Sequence, residues 1–382
     1  MSTKLKRRAW LKSSMLLTAG LALGGAPVAA SGLKNPFTGE VVIPETGKTV
    51  PVRLNANENP FGPSRKARKA LIEAVATSNR YPFELQNKLK QMIAAAEGVT
   101  ADHIFLGAGS SAILTMAGIA YGLQKGAILS AYPTFQTLMD TATYFDCEWE
   151  QVPLTADHKH DLDALAARIH PNTRLLYLCN PNNPTGTLLD ATDLRNFCAS
   201  ASEQVPVFVD EAYCEFLDQP EANSMTSLVR EGKQVIIAKT FSKIYGMAGL
   251  RVGYGIARPD IAKELAKYGP RLVPVSTTSL QAAMASYGDQ EFIAHCRNKN
   301  AESRKYLYEF LRQKGIGYVP SHTSFVLFPI EMEPAAYLRD MRTAGVAVRS
   351  WSFSGKHWCR VSMGTMQDME AFARAFEQVT AK

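Results

Sequence analysis

The feature that most constrains this chain is where its unusual polar residues fall. Short apolar runs at 103–106, 127–130, 174–179, 205–209, 235–238 and 252–256 alternate with longer amphipathic stretches. Buried strands separated by helices make a mostly parallel sheet covered on both faces, which predicts an α/β fold. Four of these runs end in a polar cluster. Gly107-Ala108-Gly109-Ser110-Ser111 follows the first run and opens a helical stretch. Asn180-Pro181-Asn182-Asn183-Pro184-Thr185-Gly186 follows another, and Asp210-Glu211-Ala212-Tyr213 a third. Thr240-Phe241-Ser242-Lys243 follows a fourth, with Arg251 eight residues on. In open parallel sheets ligands bind outside the carboxyl ends of the strands. The clusters therefore predict a single site along that edge.

The chain has 382 residues, more than one ordinary domain of ~100–200 residues, so two lobes are expected. No stretch of about 18 apolar residues reads as a standard membrane-spanning helix. The formal charge of +7 does not mark a nucleic-acid binder. Lys4, Lys6, Arg7, Arg8 and Lys12 supply five of those charges, residues 1–30 hold no acid, and the remainder carries +2. No basic stripe is left to follow a phosphate backbone.

Within the first thirty residues, Lys6-Arg7-Arg8-Ala9-Trp10-Leu11-Lys12 is followed by a mild apolar run to Ala30 and by the small residues Val28-Ala29-Ala30. The segment resembles a twin-arginine export signal, which implies export of a folded, cofactor-loaded protein to the periplasm. Cys147, Cys179, Cys198, Cys214, Cys296 and Cys359 show no Cys-x-x-Cys spacing, so no zinc site is expected; a chain folded before export hides most of them, so no disulfide is expected either.

Residues 31–63, rich in Pro, Gly and Asn, read as an arm that joins the smaller domain. Helical patterns cover 64–78, 83–97 and a stretch from Ser110. After about 269 the rhythm changes to a long helical pattern at 291–314, strand-like 324–328 and 360–363, and a helix from Asp368. The expected organisation is a large domain over 64–270 and a smaller α+β domain over 271–382.

Taken together, Leu54-Asn55-Ala56-Asn57-Glu58-Asn59-Pro60, Arg80-Tyr81-Pro82, the three later clusters and Ala248-Gly249-Leu250-Arg251 carry a resemblance. Over roughly residues 50–380 the chain resembles fold-type-I pyridoxal-phosphate-dependent aminotransferases, and among them the histidinol-phosphate aminotransferase-like group. The resemblance implies the cofactor pyridoxal 5'-phosphate, covalently held by Lys243, and transfer of an amino group between an amino acid and a 2-oxo acid. It implies that Asp210 pairs with the pyridine nitrogen and that Asn183 and Tyr213 hydrogen-bond the phenolic oxygen. Phosphate contacts fall to the backbone of Gly109, Ser110 and Ser111, to Ser242 and to Arg251, because N–H groups at a helix start and a guanidinium fork both suit an anion. Ala112 departs from the family, which often carries an acid there. Phe135 is placed on the cofactor ring. Arg360, Arg349 and Asn57 are placed on the substrate. Tyr81 implies a homodimer, because the matching family tyrosine reaches the neighbouring subunit's cofactor.

Two other readings use the same residues. One is a decarboxylase or synthase on the same scaffold; the other is a cofactor-binding protein without catalysis. The donor is less constrained. Phe37 stands where the family carries a tyrosine whose hydroxyl contacts a substrate phosphate, so histidinol phosphate is expected to be a poorer donor than a free amino acid. Replacing both Arg7 and Arg8 by Lys keeps the charge but removes the guanidinium pair. Cell fractionation should then find the protein retained in the cytoplasm; periplasmic accumulation of the doubly substituted chain would refute the export signal.

Overall fold

The computed structural model describes residues 52–270 and 274–381. The expected export signal, Phe37 and most of the arm lie outside the described residues. Twelve strands run through the described part. They are β1 (Val52–Arg53), β2 (Ile104–Gly107), β3 (Gly126–Tyr132), β4 (Cys147–Pro153), β5 (Thr173–Cys179) and β6 (Val207–Asp210), then β7 (Val235–Thr240), β8 (Gly253–Ile256), β9 (Phe325–Ile330), β10 (Val346–Ala347), β11 (Arg349–Phe353) and β12 (Lys356–Ser362).

Seven of them form the central sheet in the order β2-β8-β7-β6-β5-β3-β4. Neighbours are parallel except at β8, which runs antiparallel to both β7 and β2. Successive side chains of a strand point to opposite faces, and two separate cores result. Val207, Val209, Val235 and Ile237 enter one core. Phe208, Ile236, Leu175 and Tyr177 enter the other. Burial on both sides is why these strands read as unbroken apolar runs rather than as an alternating pattern. β4 was not anticipated. It is the edge strand, where Cys147 and Val152 are buried while Glu148 and Gln151 stay in water, and charge along an edge blunts further pairing.

A second layer holds the antiparallel sheet β11-β12-β9, while β1 pairs with β10. Its core gathers Leu54, Leu307, Phe310, Phe328, Tyr337, Phe372 and Phe376. The arm residue Leu54 thus packs with the C-terminal elements. The change of lobe falls later than residue 270. Helix Thr277–Tyr287 packs on helices Arg65–Ala74 and Phe83–Glu97, and its Leu280 and Ala283 lie in the first sheet core. Helix Gln290–Gln313 spans both lobes: Ile293 and Cys296 sit in the sheet core, and Leu307 and Leu311 in the C-terminal one. A polar helix long enough to serve two cores leaves no break in the sequence pattern at the crossing.

Candidate active site

The four clusters meet at the carboxyl edge of the sheet, as the first reading of the sequence implies. At the end of β2, Gly109 caps helix Ser110–Gly122 with φ +82°. Glycine is required there twice over. The left-handed backbone disfavours a side chain, and a Cβ would collide with the guanidinium of Arg251. Gly253 of β8 is pressed on the same turn, where a Cβ would meet the backbone of Gly109 and Ser110. Arg251 takes a left-handed conformation, φ +54°. It donates to Ser242 Oγ at 3.3 Å and to the carbonyls of Ala248 and Ala108 at 3.0 Å each. Helix N-terminus, hydroxyl and guanidinium therefore converge on one small volume suited to a phosphate.

Asp210 ends β6 and is buried. Its Oδ1 accepts from the Ala212 backbone at 3.1 Å and its Oδ2 from the Tyr177 hydroxyl at 3.3 Å. Burial pushes its carboxyl up to about 6, against the pull of those two bonds and of Lys243. Lys243 follows β7. Its amine reaches the Ala56 carbonyl at 3.3 Å and lies 5.7 Å above the centre of the Tyr213 ring. Burial first, and Arg360 second, push that amine down to about 8. An amine that is about half neutral near pH 8 can attack an aldehyde.

Tyr213 lies beneath the lysine amine and Asn183 beside Arg360, both buried. Arg360 of β12 donates to Asn183 Oδ1 at 2.6 Å and to the Asn55 carbonyl at 3.0 Å. Its Nε is buried with no hydrogen-bond partner, and its plane lies 5.2 Å from the centre of the Phe325 ring. Burial pushes the guanidinium down to about 10. Arg349 stands directly opposite Arg360 in the β11–β12 register, exposed and 5.7 Å from the Trp351 ring.

The remaining expected residues divide. Phe135 is half-buried against the core that holds Cys179 and Phe208. Ser110 and Ser111 open their helix, half-buried. Asn57 was expected to face substrate; the structure instead turns its amide onto Tyr213 and Ser362. Tyr81 faces outward, 77% exposed, with Phe83 beside it at 5.8 Å. Two residues of the site were missed. Tyr177 was read as one more apolar position of a strand, although a buried tyrosine needs a partner for its hydroxyl. Ser362 shares a strand face with Arg360 through the two-residue period. All six cysteines are buried free thiols.

The aminotransferase class I and II family profile matches residues 49–376. Among curated relatives, the histidinol-phosphate aminotransferase of Moorella thermoacetica is 36% identical over 344 residues, covering 90% of this chain and 89% of that protein. Histidinol-phosphate aminotransferase 2 of Carboxydothermus hydrogenoformans is 34% identical, covering 89% and 94%. Among solved structures, the Sinorhizobium meliloti histidinol-phosphate aminotransferase in complex with pyridoxal-5'-phosphate superposes with a TM-score of 0.77 at 26% identity, covering 88% and 92%. The chain belongs to the class I and II aminotransferases, on the fold-type-I scaffold. It is a pyridoxal-phosphate-dependent aminotransferase, and neither alternative reading is favoured.

The residues present fit that cofactor. The turn at Gly109 has no room for a side chain, Asp210 is a buried carboxylate whose charge acts on the half-buried Lys243 amine, and Arg360 keeps one nitrogen unsatisfied. In protein stripped of cofactor, capture of pyridoxal phosphate by Lys243 needs a neutral amine, with a folded-state value of about 8, and an ionised Asp210, about 6. Both conditions improve as pH rises. The capture rate followed by absorbance should climb from pH 6 through 8 and level off only about one unit above the lysine's value, and borohydride should fix the label on Lys243. A rate that falls across this range, or label on another lysine, would overturn the assignment.

Proposed function

We propose that this aminotransferase takes amino donors carrying a second anionic group. The observation that carries this reading is the pairing of Arg349 with Arg360 across β11 and β12. Like charges directly opposite on a sheet are destabilising, so the pair is sensible only if anions occupy it. Arg360 binds the carboxylate beside the reacting amine, through the nitrogen that lacks a partner. Exposed Arg349 then meets the distal anion.

The protein's own groups divide the remaining work. Gly109, Ser110, Ser111, Ser242 and Arg251 hold the cofactor phosphate. Phe135 covers one face of the ring. Asp210 holds a proton on the ring nitrogen, aided by Tyr177 at its back. Asn183 and Tyr213 hold the phenolic oxygen. The cofactor supplies an electron sink for the charge left when the substrate α-carbon loses its proton. Lys243, freed from its covalent role, moves that proton as general base and acid.

Arg349 suits phosphate and carboxylate alike. The curated relatives are named for histidinol phosphate; Phe37, with no hydroxyl to offer a phosphate, is what puts glutamate or aspartate ahead of it in this reading. Specificity constants decide. Glutamate or aspartate should exceed phenylalanine, and Arg349→Ala should lower the dicarboxylates about ten- to a hundredfold with phenylalanine unchanged. Equal effects on all donors would end the two-anion reading, and histidinol phosphate as the best of four donors would end the preference for a dicarboxylate.

We also propose that the working unit is a homodimer, with folded export by the twin-arginine route. Ile72, Val75, Tyr81 and Phe83 are large apolar side chains left in water on neighbouring elements, a patch of the kind that marks an interface. Mixing Tyr81→Phe with Lys243→Ala chains should give more activity than either alone, because one site of the mixed dimer regains both groups. A monomer by sedimentation, or no gain on mixing, would refute the shared site.

A further inference from the structure

The Asn57 side chain is fully engaged, and not toward open space. Its Nδ2 donates to the Tyr213 hydroxyl at 2.8 Å, and its Oδ1 accepts from Ser362 Oγ at 3.1 Å. Its backbone N–H donates back to the same Ser362 Oγ at 2.8 Å. Ser362 is held in turn, since its backbone N–H donates to the Leu54 carbonyl at 2.9 Å. All three side chains are buried. Asn57 itself is bent into the left-handed region, φ +55°, which asparagine tolerates better than most residues.

We infer that Asn57, braced by Ser362, is a positioning residue that fixes Tyr213 as a hydrogen-bond donor to the cofactor's phenolic oxygen. The argument turns on donors and acceptors. A phenol has one proton to give and lone pairs to receive with. With the Asn57 amide donating into its oxygen, Tyr213 must send its own proton elsewhere. A bond into the phenol oxygen also makes the O–H a stronger donor, as hydrogen bonds in a chain polarise one another. The direction agrees with the environment of Tyr213: burial holds its phenol well above the ordinary value, while Arg360 and Asn57 pull it back. The orientation of the amide is consistent on the other side. Ser362 Oγ accepts the Asn57 backbone N–H at 2.8 Å and donates its own proton to Asn57 Oδ1 at 3.1 Å, the arrangement that leaves Nδ2 to donate to Tyr213.

The relay starts two residues from Arg360 on one strand face. Through β12, the residue that binds the substrate carboxylate and the residue that orients Tyr213 move together. Arg360 already touches Asn183, the other group assigned to the phenolic oxygen. The strand therefore reaches both.

This inference rests on the proposed place of Tyr213 at that oxygen, and the test separates the two. The readout is the pH at which the absorption of the lysine-bound cofactor changes in the holoenzyme. Donors to the phenolic oxygen stabilise its negative charge, so losing one raises that pH. Tyr213→Phe should raise it by about one unit, the worth of one hydrogen bond to a charged group. Asn57→Gly keeps the left-handed backbone without strain and removes only the amide; it should raise the value by roughly half as much. Asn57→Asp, which cannot donate once ionised, should do at least the same, and Ser362→Ala should shift it in the same direction by less. In each, kcat should fall more than KM rises. A shift in Tyr213→Phe with none in Asn57→Gly or Asn57→Asp would overturn the relay and leave the Tyr213 assignment standing. No shift in Tyr213→Phe would overturn the assignment itself. A lowered melting temperature in Asn57→Gly with an unmoved spectrum would show a merely structural asparagine and would also overturn the relay.

Discussion

The structure depends on three desolvated charges, buried Asp210 and Arg360 and half-buried Lys243, that do not neutralise one another. Asp210, Lys243 and Arg360 lie in or against the same cleft, yet no ion pair joins any two of them among the described residues. Burial moves all three toward their neutral forms: the carboxyl up to about 6, the amine down to about 8, the guanidinium down to about 10. Taking charges out of water without pairing them is expensive. A fold keeps such an arrangement when the missing partners arrive with ligands. In the proposed reading a cationic ring nitrogen would answer Asp210, an aldehyde the Lys243 amine, and a substrate carboxylate Arg360.

That cost is met by a rigid frame. The carboxyl edge of the sheet places the ends of β6 and β7 side by side, with β2 one strand further on beyond β8, and the reversal of β8 brings Gly253 against the turn after β2. Glycine at 109 and at 253 lets the turn lie flat against β8 and under Arg251. The second layer is tied to the first by side chains of the site rather than by sheet continuity. Arg360 of β12 bonds to Asn183 and Asn57 bonds to Tyr213, both at the edge of the central sheet, while the Asn55 carbonyl and Ser362 brace Arg360 and Asn57 from their own layer. Substrate binding at Arg360, as proposed, would therefore act on a contact between layers.

Much of this was legible in the residues, and the exceptions have a physical pattern. Strands buried on both faces announce themselves as apolar runs, and the polar clusters at 107–111, 180–186, 210–213 and 240–243 lie where such runs stop. Helix Phe83–Glu97 was read with its bounds intact, closed by Gly98 in the left-handed conformation. β4 escaped because an edge strand carries charge. The lobe boundary escaped because helix Gln290–Gln313 serves two cores without a break. The role of Asn57 escaped for a different reason. A motif says that a residue belongs to a site, but which way an amide points is set by partners 156 and 305 positions away. No local pattern carries that information. Tyr177 was legible in principle, since a hydroxyl inside an aliphatic strand asks for an acceptor.

The adjacent carboxylates Asp210 and Glu211 show how the sheet keeps site and scaffold apart. Strand alternation sends them to opposite faces. Asp210 faces the cleft; Glu211 faces the other core, where Met225 donates its backbone N–H to Oε1 at 2.7 Å. There the Lys239 amine lies 3.1 Å from Glu97, 3.6 Å from Glu211 and 3.8 Å from Glu215, all buried or nearly so. One ammonium against three carboxyls leaves an excess of acid. Burial raises Glu211 to about 7 and Glu215 in the same direction, each against the pull of Lys239. The sign is opposite to that of a carboxylate stabilised by its partner: with a folded value above the unfolded one, Glu211 favours the fold at low pH and loses that contribution as pH rises through about 7. Lys239 limits the loss, because its charge is held well above the ordinary range by the three acids. Removing its amine would strand them all and threaten the strand ends from which Asp210 and Lys243 project. A carboxyl that burial raises in the scaffold and one that burial raises in the cleft thus sit one residue apart, distinguished by the face each side chain takes and by the partners it meets there.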